Sequence, residues 1–499
     1  MMDAQNSEPT LENAAMLANG KRRRGMSRRT VLKLGTLGLA ASTLGILEVD
    51  AWLPNRAAHA APSMLPAIQY DISQYIAPVK SIDGIPFQFG PVHTLFITAK
   101  LNRTPTNNDQ QVLADALDTI EATYPFSPSG VFTFVSYGLP YFNRLPRSLV
   151  ADTMPRLLAD NTRFALEEAV PGPTDVSSLN PGITKKTFNV PVVIESNDVL
   201  FTLRSDSLAN LQAVLTWLKG SNTLNGNSVP SPTFKNIFTF TSTRLMFLQI
   251  GTPRKLADLN HLPYASSINP HSPMWMGFAD QQTAGSGPAE ITTFQGNHAA
   301  TFTNATSASY FYNGSIQHFS HVILDMAQFY ARTEPFTERC QYMFRSNPIP
   351  SVGYGEQYKN GGGPAFLPNH YQGPNDALAN AEAKGTYGHK HRMGHLTALQ
   401  RSSRAADSTP IHMRMDGPGF DAMDVPGGAQ QPKLQFTIFV PTANFFSTMR
   451  TNQAALDLVK KYGVQDDDNG LERFLTATRR QNFLVPSRAH RAFPLVELT

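Results

Sequence analysis

A mixed α+β fold, built twice along the chain, is what this sequence predicts, and three observations carry it. Short runs rich in β-branched and aromatic residues alternate with stretches whose apolar residues recur at helical spacing. Within each half, two strand-like runs follow one another with no helix between them, which calls for antiparallel pairing. The order strand, helix, strand, strand, helix, strand then recurs in the second half at lower clarity.

The first half opens with VHTLFITAKL (92–101), a β-rich run, and QQVLADALDTIEATY (110–124), which has a helical stripe. GVFTFVSYGL (130–139) and DVLFTLRSD (198–206) read as strands, LANLQAVLTWL (208–218) as a helix and RLMFLQI (244–250) as the closing strand. In the second half, GSIQHFSHVILDMAQFY (314–330) runs from strand into helix. PIHMRM (410–415) and KLQFTIFV (433–440) are strands, ANFFSTMRTNQAALDLVKKYG (443–463) is a helix and NFLVPS (482–487) the last strand. Antiparallel sheets with helices packed on them, in a βαββαβ order, make two ferredoxin-like domains, expected at 61–255 and 256–499. The second contains a Gly-, Pro- and Asn-rich loop at 346–387, far longer than an ordinary connection and therefore a candidate functional segment.

Residues 1–60 read as an export signal. KRRR (21–24) and SRRTVLK (27–33) precede the mildly apolar TLGLAASTLGIL (36–47), and Ala58, His59 and Ala60 form a small-x-small cleavage site. The twin arginine Arg28 and Arg29 points to the Tat route, with the Tat translocase as a transient partner and a periplasmic or extracellular destination. That route carries folded proteins, so a cofactor buried before export is expected. Residues 1–60 also hold 8 of the Lys and Arg and 5 of the Asp and Glu, so the apparent basicity lies in the signal and the remainder is close to neutral. Nothing suggests nucleic acid, and no later segment is apolar for long enough to span a membrane. A single cysteine, Cys340, excludes intrachain disulfides, CxxC zinc sites and redox dithiols. Any metal must then be held by His, Asp, Glu or a macrocycle. Neither a GxSxG elbow nor HExxH occurs, which argues against a serine hydrolase and a metalloprotease.

Three of the 13 histidines fall within GHKHRMGHL (388–396). His391 and His395 stand at i, i+4 with His389 just before them, so three readings are open: a small metal site on a helix, a cofactor ligand, or plain surface histidines.

The domain duplication, taken with GVFTFVSYGLPYF, DVLFTLRSDS, MGFADQQT and FLTATRRQNFLVPS, resembles the dye-decolourising (DyP-type) haem peroxidases, as a divergent member with a Tat signal. The resemblance spans most of residues 90–490 and lies in the order and spacing of these motifs. It implies haem b, held mainly in the C-terminal domain, with hydrogen peroxide and dye-like or phenolic aromatic reductants as substrates. A haem-binding relative without turnover is the alternative, and self-association into a homo-oligomer stays open. The family's GxxDG marker matches Gly277, Phe278, Ala279 and Asp280, with Gln281 where the family has glycine. The resemblance makes Asp280 the peroxide-side acid–base group and puts Gly277 and Phe278 beside the cofactor. It makes Arg414 of RMDGP the cation that stabilises the departing oxygen, and His395, nineteen positions earlier, the axial ligand of the iron. A carboxylate late in the chain, Asp468 or Glu472, would accept the other ring N–H of that histidine. Trp275 could relay electrons or simply fill a core.

Overall fold

The computed structural model of the protein describes residues 65–78, 80–82, 85–278, 288–296, 301–332, 336–343, 394–395, 411–462 and 469–499. The signal at 1–60, Asp280, Gln281, His389, His391, Asp468 and the loop at 346–387 lie outside these residues.

The first half is β1 (His93–Leu101), α1 (Asn107–Thr123), β2 (Phe132–Gly138), β3 (Val199–Ser205), α2 (Leu208–Leu218) and β4 (Phe238–Phe247). The second half is β5 (Ser315–Leu324), short helices at Met326–Arg332 and Phe336–Met343, β6 (Met413–Arg414), β7 (Gly417–Asp421), β8 (Gln431–Val440), α3 (Ala443–Ala454) and β9 (Leu475–Val485). Local signals explain the helix starts. Thr106 and Asp109 form a reciprocal capping box at α1, and the Ser207 hydroxyl accepts from the Asn210 amide at α2.

The principal strands form one sheet in the order β6-β8-β5-β9-β2-β3-β1-β4, with β7 also on β8. Each half therefore lays out its second, third, first and fourth strand in sequence, the ferredoxin-like order, and antiparallel pairing of Phe483 with Gly138 and Leu484 with Tyr137 joins the two. The sheet curls until β7 meets β4. A Cβ at Gly417 would stand 3.0 Å from Met246 and one at Gly419 3.1 Å from the Leu245 carbonyl, so both positions need glycine for the approach. The enclosed face holds a core that crosses between halves: the rings of Phe96 and Phe319 are 4.5 Å apart, and Tyr70 stacks on Phe439 at 4.0 Å. All described residues belong to one compact unit, 49–499.

Four elements differ from their expected bounds, the first being the strand read over 244–250, which runs from Phe238 to Phe247. PIHMRM contributes only two paired residues, and pairing resumes at Gly417. The last strand begins at Leu475 rather than 482, because the polar run TATRRQ is buried by ion pairs and hydrogen bonds instead of apolar contacts. The helix read over 443–463 breaks at Ala455, whose φ of 50° is left-handed, and a second helix, Leu456–Tyr462, follows.

Alternation along the strands creates the site. Phe319, Phe439 and Phe483 face the core, while Ser320, Val322 and Leu324 of β5 and Leu434 and Phe436 of β8 line a cavity. A bulge opposite His321 and Val322 shifts the register of β9, so that Leu475 and Ala477 share the cavity with Arg480. Helix α3 lies over this face, where Phe446 stacks on the His318 ring with 3.2 Å between centroids.

Candidate active site

The cavity encloses about 920 Å³, including the part open to solvent, and Met, Leu, Val, Trp and Phe side chains line it together with polar and charged ones, among them Asp175, Asp416, Glu472 and Arg480. His395 and Arg414 both line it. Each is partly buried, His395 in the only short piece described between 343 and 411, and Arg414 in β6 paired with Ile438. Gly470 explains how the His395 backbone fits. It adopts φ 53°, and a Cβ there would stand 3.0 Å from the His395 Cα and 3.1 Å from its N, so only glycine lets the two segments pass.

Of the two carboxylates expected beside His395, Asp468 lies outside the described residues, and Glu472 is linked to the ring through two other side chains. Gln453 Nε2 lies 3.0 Å from His395 Nδ1, and Gln453 Oε1 accepts from Arg450 Nη1 at 2.6 Å. Arg450 donates to both oxygens of Glu472 at 3.2 and 3.0 Å, and the Thr174 hydroxyl donates to Glu472 as well. Glu472 thus reaches the imidazole only through Arg450 and Gln453. Burial favours the neutral form of Glu472, but Arg450 and Lys185 outweigh it and hold the pKa down to about 2. Burial likewise opposes the charge on Arg450, yet Glu472 and Asp175 raise its pKa. Asp175 forms a two-pronged pair with Arg480 at 2.6 and 2.7 Å, and Arg480 also donates to Ser320. Arg450 and Gln453 sit one turn apart on the buried stripe of α3, with Phe446 and Met449. Polar residues inside an otherwise apolar stripe were the sequence signal that marks them.

Met274, Trp275 and Met276 form part of the wall on the segment leading to Asp280. Trp275 is 1 % exposed and its indole N–H donates to the Gly419 carbonyl at 3.1 Å, so it is at once core and cavity wall. Gly277 has φ 87°, and Phe278 is buried; both lie next to the wall rather than among the residues lining it.

Among the described residues no group of three His, Cys, Asp or Glu side chains could hold a bare metal ion. A single imidazole lining a cavity of mixed apolar and charged side chains instead suits an iron that brings its own four nitrogens. The residues present fit a haem, with His395 as the side chain that would hold it.

A family model matches residues 91–487. The chain belongs to DUF7405, a family of unknown function. No curated protein matches this DUF7405 chain. Solved structures similar to it include a DyP-type peroxidase from Cellulomonas bogoriensis at 11% identity, covering 81% of this chain and 93% of that one with a TM-score of 0.47. A variant of Rhodococcus jostii RHA1 DypB in complex with heme shares 13% identity, covering 80% and 94%, with a TM-score of 0.46. The encapsulated DyP-type peroxidase of Mycobacterium smegmatis shares 12%, covering 84% and 98%, with a TM-score of 0.44.

Proposed function

We propose that this chain is an exported haem peroxidase that reduces hydrogen peroxide and oxidises small aromatic donors, with haem b as its cofactor. One observation carries the reading: His395 and Arg414, which the family resemblance makes axial ligand and peroxide-side cation, line the same cavity. A bound haem supplies a redox iron that accepts the oxidising equivalents of a peroxide. His395 anchors it from one side. The Arg414 guanidinium, charged at every working pH, stabilises negative charge on the departing oxygen. Asp280 moves a proton from one peroxide oxygen to the other. Leu434, Phe436, Val322 and the Met274–Met276 wall exclude water, which strengthens each of these electrostatic contributions.

The test is reconstitution of purified, signal-free protein with hemin. A Soret band that His395→Ala abolishes, together with peroxide-dependent oxidation of a phenol, supports the reading. Absence of a Soret band with the unaltered protein refutes it. Gln281, in the place of the family's glycine, favours one second reading, haem binding without turnover; a Soret band with no phenol oxidation selects it.

A further inference from the structure

Antiparallel pairing of β5 with β9 sets His318 directly opposite Asn482 and Ser320 directly opposite Arg480, and the two-residue repeat of a strand puts all four on one face of the sheet. Their hydrogen bonds are fixed from both ends. The Glu167 carbonyl only accepts, so the Asn482 atom 2.9 Å from it is the amide nitrogen, and the atom 2.7 Å from His318 Nδ1 is the oxygen. His318 therefore carries a proton on Nδ1 and turns Nε2 to the Ser320 hydroxyl, 2.5 Å away. At the other end Arg480 only donates, and its Nη1 gives a hydrogen to Ser320 Oγ at 3.1 Å. Phe446 stacks on the His318 ring and holds its plane. Burial, and after it the Arg480 charge, keep the His318 pKa well below the ordinary imidazole value, so the ring is neutral and Nε2 has a lone pair for the hydroxyl hydrogen.

We propose that Ser320 is a nucleophile, with His318 as its general base and Asn482 orienting the ring, and that it takes the acyl group of small aryl esters entering the cavity. The proposal does not rest on the haem reading. A serine bonded to an imidazole whose far nitrogen is itself held is the arrangement that activates a hydroxyl, and it is recognised by geometry, so the missing GxSxG elbow does not count against it. Ser320 is 1 % exposed and is reached through the cavity it lines.

In the reaction Ser320 Oγ bonds to the ester carbonyl carbon, its proton passes to His318 Nε2, and the carbonyl π pair moves onto the carbonyl oxygen. Arg480, which already reaches Oγ through Nη1, stabilises the charge on that oxygen. As the pair returns, the bond to the aryl oxygen breaks and the departing phenolate takes the proton from Nε2. Water then attacks the acyl-serine with His318 again as base, releasing a carboxylic acid and restoring Ser320. Aryl esters fit for two reasons. Val322, Leu434 and Phe436 give the cavity an apolar wall, and an activated ester asks for less proton transfer than an amide, which suits a ring of low basicity.

The test is labelling of the full chain, without added hemin, by a fluorophosphonate, with the adduct located by peptide mass spectrometry and hydrolysis of p-nitrophenyl acetate followed in parallel. An adduct on Ser320 is expected, and none in Ser320→Ala. His318→Gln is expected to slow labelling by about 10²-fold, the ordinary contribution of a general base. Asn482→Asp is expected to speed labelling and ester hydrolysis by about 10-fold, because a carboxylate at Nδ1 stabilises the imidazolium as it forms. A gain of this kind separates an orienting residue from one that only holds the fold, and rates are compared between proteins with matching thermal unfolding. Since the ring is neutral throughout, the unaltered protein is expected to label equally fast from about pH 7.5 to about pH 5.5. No adduct on Ser320, an equal rate in His318→Gln, or no gain in Asn482→Asp overturns the proposal. A rate that falls by half near the ordinary imidazole pKa overturns the role of a neutral His318. Each of these results leaves the Soret test of the haem reading to be decided separately.

Discussion

Replacing Glu472 by glutamine probes the buried base of the relay without touching the cavity's histidine. Glu472 is 5 % exposed and held by Arg450 and Thr174 through its side chain, and its backbone carbonyl accepts from Lys185 at 2.6 Å. Its carboxyl titrates at about 2 in the folded protein against the usual 4.5, and linkage converts that difference into roughly 3 kcal/mol of stability. Because the folded value is the lower one, the contribution is complete above about pH 5 and drains away as pH falls through 4.5 toward 2. The same interaction seen from Arg450, whose buried charge faces a neutral amide in Glu472→Gln, is of similar size, about 3 kcal/mol, and Asp175 at 4.0 Å moderates it. The assay is equilibrium urea unfolding of the signal-free protein and the variant. The variant is expected to be less stable by about 3 kcal/mol near neutrality, and the gap to narrow by about 2 kcal/mol between roughly pH 6 and pH 3. Carboxylates that touch neither Arg450 nor Glu472 titrate in both proteins, so their contribution cancels in the difference. A gap that stays constant with pH would show that Glu472 is not ionised against Arg450, and the relay would lose its fixed end.

Three further outcomes follow from the same reading. His395→Ala is expected to abolish hemin retention while His389→Ala and His391→Ala keep it, measured by Soret absorbance after desalting; retention tracking His391 instead would shift the ligand by one helical turn. Asp280→Asn is expected to keep the haem and slow its reaction with peroxide by about 10² to 10⁴ in stopped-flow absorbance, and an unchanged rate would move proton transfer to another group. Replacing Arg28 and Arg29 together by lysine is expected to leave the protein unprocessed inside the cell, as seen by fractionation and immunoblotting, and normal export of processed protein would rule out the Tat route.

What was legible in the sequence follows the distance over which each signal acts. Helix α2 runs over Leu208–Leu218, as its apolar spacing predicted, because its cap, its stripe and its end are all encoded within a dozen neighbouring residues. The first seven residues of β9 were missed because their burial depends on partners hundreds of positions away: Arg480 is neutralised by Asp175, and Asn197 accepts from the Gln481 side chain. The break at Ala455 was equally hidden, since neither glycine nor proline announces it. At the site, His395 and Arg414 could be singled out only through the family resemblance, which supplies both their roles and their separation. Glu472 could be named only by its type. A carboxylate was sought to accept from the imidazole, but Arg450, on the buried stripe of its helix, donates to Glu472. Once the guanidinium holds the carboxylate, the next polar side chain along that stripe, Gln453, becomes the partner of the ring. A guanidinium only donates, so Arg450 sets which end of the Gln453 amide faces it, and no spacing rule applied to the histidine itself could have shown that contact.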